Sequence, residues 1–318
     1  MKQDNTPSQN TYQVASLYHG QRIDRVIQSM TAMSRKKVKA LLDHGQVWVN
    51  QKKIVIASWE AKKGDKIEIR TKEELSENPI SADEYFLKVV HHDKDILVVE
   101  RDAGVPCETS LISTRPTLVA IINAYLKRRY KHLPHHYVGL VHRLDQDTSG
   151  LMVYSLSKDA NKIISQFKKH TIQRKYLAIV QGSLKKSEGT IKSYLKKSEL
   201  LKGGKKVTES TEESGQLAVT QYRLIECYPR ASLVELTLNT GRTHQIRVHM
   251  ASLGHPVIGD KVYGAKPKGD ERLISFPRQA LHASYLAFYH PITSEPMEFK
   301  SELPKDLKKL LIKLRKSV

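Results

Sequence analysis

Two polar segments of the chain bring chemically capable residues together at short spacing. Val141-His-Arg-Leu-Asp-Gln-Asp-Thr-Ser-Gly150 holds a basic pair, two carboxylates and two hydroxyls between short apolar runs, and Gly150 lets the chain turn back tightly. Thr240-Gly-Arg-Thr-His-Gln-Ile-Arg-Val-His-Met-Ala-Ser-Leu-Gly254 follows a strand-like run. Gly241 turns the chain, Thr243 is placed to cap a helix with Ile246, Met250 and Leu253 at i, i+4 and i+7, and Gly254 stops it. His244 and Arg247 share a face of that helix at i and i+3, so Arg247 can meet a carboxylate across a cleft while the opposite face packs. A carboxylate such as Asp145 with a partner arginine suits three jobs: glycosidic-bond chemistry on a nucleoside, a nuclease, or a non-catalytic RNA-binding surface.

Other chemistries lack their markers. His244 and His249 are five apart and do not share a helix face, which argues against a zinc site. The chain has no Gly-x-Ser-x-Gly elbow, no dinucleotide fingerprint and no phosphate loop. His132, His135 and His136 lie in a basic tract without neighbouring cysteine or acidic ligands, so a polar surface loop is expected there and no metal. Asp147 reads as a turn or hydrogen-bonding residue. Cys107 and Cys227, the only cysteines, are too few to staple the chain and point to a reducing compartment. With no apolar run long enough to span a membrane and no leader-like start, a cytoplasmic protein is expected.

Charge narrows the partners. Against 33 acidic side chains stand 53 lysines and arginines, a formal +20, and a field of that size favours a polyanion whose counterions are released on binding. Residues 1–14 are polar and aperiodic, the pattern of a flexible tail. A small α/β module is expected over 15–70. One helix starts near Arg22 with Ile23, Val26 and Ile27 inward; Ser34 caps a second with Val38, Leu41 and Leu42; strands follow at Val47 to Asn50 and Ile67 to Arg70. From 20 to 70 there are 12 Lys/Arg against 5 Asp/Glu. Arg35, Lys36, Lys37 and Lys39 crowd the start of the second helix, where free amide N–H groups and cations together suit phosphates.

A polar linker, 71–83, separates this module from a larger domain over 84–318. There β-branched runs dominate: Phe86 to Val90, Ile96 to Val99, Leu140 to Val141, Leu151 to Tyr154, Tyr176 to Val180, Ala218 to Ile225 and Ser232 to Leu238. Helices are expected at Thr117 to Lys127, at Lys158 to His170, and after Pro304 with Leu307, Leu310, Leu311 and Leu314 in one stripe. Helices recur too irregularly for βαβ units, so the fold class is α+β, with a mixed, largely antiparallel sheet. Residues 185–206, with eight lysines and two glutamates, read as an insertion or long hairpin reaching over a substrate.

The motifs themselves carry a resemblance. His142 to Gly150 is similar to the signature of the RluA-type pseudouridine synthases, in which Asp145 takes the place of the catalytic aspartate. Gly241 to His249, continuing through Gly254-His-Pro-Val-Ile-Gly-Asp-Lys-Val-Tyr-Gly264, resembles a second signature, and Leu281 to Phe288 with His290-Pro291 a weaker third. The resemblance spans about 85–305. Arg22-Ile-Asp-Arg and Ser34-Arg, through Gly45 to Asn50, are similar to an S4 RNA-binding domain.

It implies isomerisation of uridine to pseudouridine in structured RNA, with large-subunit ribosomal RNA the expected substrate and transfer RNA or a non-catalytic ribosome-assembly role as alternatives. It further implies a monomer that needs no metal or organic cofactor. Arg247 matches the arginine that pairs with the catalytic aspartate, and Tyr176 the tyrosine that stacks on the target base and is implicated in proton removal. His142, Arg143, Thr148, Arg242 and His244 are then RNA-binding or loop-organising. One segment departs from the family: many members have Asn-Lys-Pro-x-Gly where this chain has Glu100-Arg-Asp-Ala-Gly104.

Overall fold

The computed structural model describes residues 10–43, 46–54, 57–70, 82–107, 116–131, 137–199, 205–264 and 273–316. The chain forms two compact units. One holds the described residues up to Tyr85 together with Pro116 and Thr117, and the other holds the rest.

In the first unit β1 (Thr11–Gln13) precedes α1 (Ile23–Thr31) and α2 (Arg35–Asp43), followed by β2 (Val47–Val49), β3 (Lys52–Ile54) and β4 (Lys66–Ile69). Ala32 ends α1 in the left-handed conformation, its N–H bonded to Gln28 O. The Ser34 hydroxyl accepts the Lys37 N–H at 3.3 Å, an N-cap that satisfies one free donor of α2. The strands pair antiparallel in the order β1-β4-β2-β3. Alternation puts Val47, Val49, Ile67 and Ile69 in one core with Ile23, Val26, Ile27, Val38 and Leu42.

The tail expected over residues 1–14 is corrected for its described part. Thr11–Gln13 pairs with β4, and Val14 is buried in the core. Backbone pairing with an edge, with Val14 buried and Tyr12 packed against the core, orders a stretch that is otherwise polar.

The second unit runs β5 (Lys88–His92), β6 (Ile96–Arg101), α3 (Leu118–Arg129), β7 (Gly139–Leu140), β8 (Ser149–Ser155), α4 (Ile163–Lys168), β9 (Gln173–Gln181), β10 (Glu188–Glu199), β11 (Lys205–Ser210), β12 (Gln216–Tyr228), β13 (Ala231–Leu238), α5 (Gln245–Ser252), β14 (Leu281–Tyr289), β15 (Pro296–Lys300) and α6 (Lys305–Arg315). Among the described residues the strands form one sheet in the order β11-β10-β12-β13-β9-β14-β8-β6-β5, with β15 on β14 and β7 on β8. The fold is thus α+β with a mixed, largely antiparallel sheet. Its parallel pairing, β14 on β8, brings Ala283 opposite Gly150. There Gly150 adopts a φ of +120°, and a Cβ would fall on the Ala283 backbone, so the approach of the two strands depends on glycine.

Several boundaries differ from the sequence expectation for local reasons. β5 continues through His91 and His92, and β6 runs on to Arg101 because Glu100 and Arg101 pair with Leu151 and Gly150 of β8. The helix expected over Lys158 to His170 is a short 3-10 turn (Asp159–Lys162) leading into α4. The lysine-rich 185–206 segment lies largely within the β10–β11 hairpin. Cys107 is buried and Cys227 is exposed.

Helix α6 buries Leu307, Leu310, Leu311 and Leu314, the full i, i+3, i+4, i+7 stripe. Truncating its fully buried member, Leu307→Ala, removes three carbons from a closed site and is expected to cost about 2–5 kcal/mol. Urea unfolding of the purified variant reads this directly, and an unshifted midpoint would contradict the packing described.

Candidate active site

The loop between β7 and β8 carries Asp145, and arginines grip its backbone. The Thr148 N–H bonds Asp145 O at 2.9 Å, closing a tight turn. Arg101, at the end of β6 and only 1% exposed, donates to Asp145 O at 2.5 Å, to Thr148 O, and to Val105 O at 2.6 Å. From the other side Arg278 donates to Asp147 O at 3.1 Å while its fork is held by Asp306, in the first turn of α6. The planar five-donor guanidinium is what allows one side chain to satisfy several carbonyls at once.

Side chains of the loop divide by direction. His142 accepts the Val153 N–H on Nε2 at 3.1 Å, and its ring stacks on Phe167 at 4.7 Å. Burial first, then Arg174 and Arg101, push its pKa down to about 3, so it remains a neutral brace. Thr148 is buried and accepts a hydrogen bond from Gln279. Arg143 is exposed and lines a pocket together with Asp145.

Across that pocket stands α5. The expected Thr243 cap is corrected: His244 occupies the N-cap in the left-handed conformation, with φ +55° and no side-chain cap bond. The turn is stabilised by Gln245 instead. Its Oε1 accepts from Arg242 N–H and Thr240 Oγ1, and its Nε2 donates to Val219 O and Thr220 Oγ1, all within 3.0 Å. A buried amide with every bond made anchors the helix start more firmly than an exposed hydroxyl would.

Arg247 projects from this helix between two carboxylates. Its Nε and Nη2 donate to Asp260 Oδ2 and Oδ1 at 2.6 and 2.9 Å, and its Nη1 donates to Asp145 Oδ2 at 2.9 Å. The Asp260 side chain is fully buried and also accepts the N–H groups of Val262 and Tyr263. Burial alone would raise the Asp260 pKa, but the Arg247 bonds and charge, with the two backbone donors, hold it below the usual carboxylate range. The Arg247 pKa is raised by the same pairings, despite burial.

Tyr176, on β9, His244, Arg242, Arg174, Leu238 and Leu281 complete the pocket. Burial, with a smaller contribution from Asp145, raises the Tyr176 pKa above that of an ordinary phenol, so the ring keeps its proton at neutral pH. Arg242 donates from Nε to Leu217 O at 3.0 Å. Gly241 leaves room for Arg174, whose Nη1 would lie 2.6 Å from an added Cβ and would have to shift. His244 bonds the Tyr263 hydroxyl through Nδ1.

Asp145, Tyr176, Arg247, Arg143, Thr148, Arg242 and His244 therefore line one pocket, and His142 lies just behind it. Arg35, Lys36, Lys37 and Lys39 lie exposed on α2 of the other unit. His132, His135 and His136 lie outside the described residues. The sequence flagged Arg101 only within the departure at Glu100 to Gly104, without a role, and did not single out Arg174, Asp260 or Tyr263. Asp260 and Tyr263 sit inside a quoted motif but carry no local signal of role; their burial and bonding become visible only in three dimensions.

Among the described residues, one grouping has metal-like composition: Asp93, Asp95 and His290. The chemistry of the donors argues against an ion. His290 Nδ1 accepts the N–H groups of Ile292 and Thr293, which leaves the ring proton on Nε2, facing Asp93 Oδ2 at 3.3 Å. A metal there would need that nitrogen bare.

Comparison with known proteins gives consistent findings. Residues 95–252 match the RNA pseudouridylate synthase family, and residues 21–67 match the S4 domain. A protein of Zymomonas mobilis named ribosomal large subunit pseudouridine synthase D is 35% identical over 308 residues, covering 93% of this chain and 94% of its own. The protein of that name from Haemophilus influenzae is 34% identical, covering 93% and 92%. The solved structure of human RNA pseudouridylate synthase domain containing 1 superposes with a TM-score of 0.54 at 27% identity, over 75% of this chain and 97% of the other.

The shared guanidinium leads to a stability prediction. Asp260→Asn removes one anion and leaves a buried cation half-paired, a loss of about 3–5 kcal/mol. Because the folded pKa of Asp260 is depressed, this stabilisation is fully present above its unfolded value of about 3.9 and vanishes as pH falls through the folded pKa. Urea titrations of both proteins from neutral to acidic pH should show the gap closing only on the acid side; a pH-independent gap would assign the loss to packing.

Proposed function

The chain belongs to the RNA pseudouridylate synthase family, and from that premise we propose that it isomerises specific uridines of large-subunit ribosomal RNA with Asp145 as the reacting carboxylate. The observation that carries this reading is the Asp145–Arg247–Asp260 chain of ion pairs at the edge of a pocket walled by Tyr176. The substrate follows from the relatives named for the ribosomal large subunit and from the S4 match at 21–67. Work on ribosomal RNA fits a cytoplasmic enzyme; among the described residues no helix is long and apolar enough to cross a membrane. The working unit in this reading is a monomer.

The target uridine must first leave its stack, at a cost of a few kcal/mol in paired RNA and less in a strained loop. Tyr176 offers its protonated ring as a stacking surface worth roughly 1–3 kcal/mol. Arg247 fixes Asp145 Oδ2, so Oδ1 is the oxygen left to act at C1′. The N1–C1′ bond breaks, the uracil stays in the pocket and turns, C5 joins C1′, and the C5 proton leaves while N1 gains one. Arg143, exposed at the mouth, and Arg242 hold RNA; His142 and Thr148 keep the loop in shape. Arg35, Lys36, Lys37 and Lys39 grip phosphates elsewhere on the substrate.

Asp145→Asn removes the charge with little change in shape. Pseudouridine formation on ribosomal RNA should fall to background while RNA affinity stays within about twofold, since phosphate contacts dominate binding; continued turnover would sink the assigned chemistry. Pseudouridine mapping of cellular RNA with and without the gene should lose a modification in large-subunit ribosomal RNA. Loss confined to transfer RNA would replace the substrate and leave the site intact.

A further inference from the structure

His244 is held in a way that loop organisation alone does not require. It carries φ +55°, a left-handed conformation that a non-glycine residue adopts only where the surroundings hold it. Its Nδ1 lies 2.9 Å from the Tyr263 hydroxyl, and the two rings meet edge to face at 5.6 Å. That hydroxyl already accepts the Val207 N–H of β11 at 2.8 Å. The phenolic proton is therefore best used toward Nδ1, since a proton on Nδ1 would leave the hydroxyl with two donors facing it and no acceptor of its own. The imidazole proton then sits on Nε2. This nitrogen lies 3.9 Å from Asp145 Oδ1, beyond hydrogen-bond reach, and its side chain is 20% exposed at the pocket.

The groups facing His244 are Asp145, Arg247, Asp260 and Tyr263. Burial, the largest influence, together with Arg247 outweighs the two carboxylates and lowers its pKa below the ordinary 6.5. At neutral pH the ring is thus uncharged, with a fixed N–H beside the reacting carboxylate. A neutral imidazole in this state serves as an electrophile toward an oxygen that gains charge, rather than as a base.

We propose that His244 is a further catalytic residue whose Nε2–H donates a hydrogen bond to a uracil carbonyl oxygen while the base is detached from the sugar. When the N1–C1′ bond breaks, its electron pair goes to the uracil and spreads onto the carbonyl oxygens, and the Nε2–H stabilises that charge. The same pair is returned when C5 bonds to C1′; the C5 proton then departs and N1 takes a proton from solvent, so no oxidant or co-reactant is needed. His244 keeps its own proton throughout. The inference rests on Asp145 being the reacting carboxylate of this pocket.

The test compares His244→Ala and His244→Gln with Asp145→Asn, using full-length protein, ribosomal RNA, and thermal melts. His244→Ala should lower kcat by about 10²–10³ with KM for RNA unchanged, as loss of one transition-state donor does. His244→Gln, whose amide N–H can still donate, should recover at least about tenfold of that loss. Wild-type turnover in His244→Ala would overturn the proposal, and so would a folded His244→Gln as inactive as the alanine variant, the pattern expected of a base. Should the alanine variant fail to fold, the glutamine variant alone decides: activity above the Asp145→Asn background supports a donor, and none refutes it. Turnover in Asp145→Asn would instead undo the underlying site assignment.

Discussion

One guanidinium with two carboxylates to serve organises the centre of this protein. Asp260 takes the bidentate side of Arg247 and leaves a single N–H for Asp145. That division matters geometrically. Had Asp145 received the fork, both its oxygens would be tied up in the pair; with Asp260 taking the fork, Asp145 is aimed by a single bond through Oδ2. The arrangement needs Asp260 out of water, for only a buried, fully bonded anion can compete so well for the arginine.

The sheet and its loops exist around this constraint. β8 and β14 approach closely enough at Gly150 to bring the Asp145 loop beside the segment carrying Arg278 and Gln279, while β13 leads directly into the turn that Gln245 locks before α5. Arg101 below and Arg278 beside the loop hold its carbonyls, so the position of Asp145 is set by strand ends and a helix terminus rather than by the loop's own preferences.

Much of this was legible in the chain, and the rest was hidden for physical reasons. Alternating and β-branched runs identified most strands of the larger unit, and the leucine stripe identified α6. Period alone could not pair Asp145 with Arg247, which are 102 residues apart; only the resemblance linked them, and the structure puts them 2.9 Å apart. Asp260 stood inside the second signature with no role of its own, because burial is a tertiary property. β1 escaped for the converse reason: its own residues are polar, and its order is lent by β4. The Thr243 cap failed because a side chain inside the helix, Gln245, meets the turn's needs better.

Arg101 bears on how this sequence can change over generations. Its fork reaches the carbonyls of Val105, Asp145 and Thr148 together, which a lysine's single ammonium cannot match in geometry. Replacing Arg101 alone would therefore leave buried carbonyls at 105, 145 and 148 short of donors. The departure at Glu100 to Gly104 thus places at 101 the side chain on which the backbone of the neighbouring loop depends.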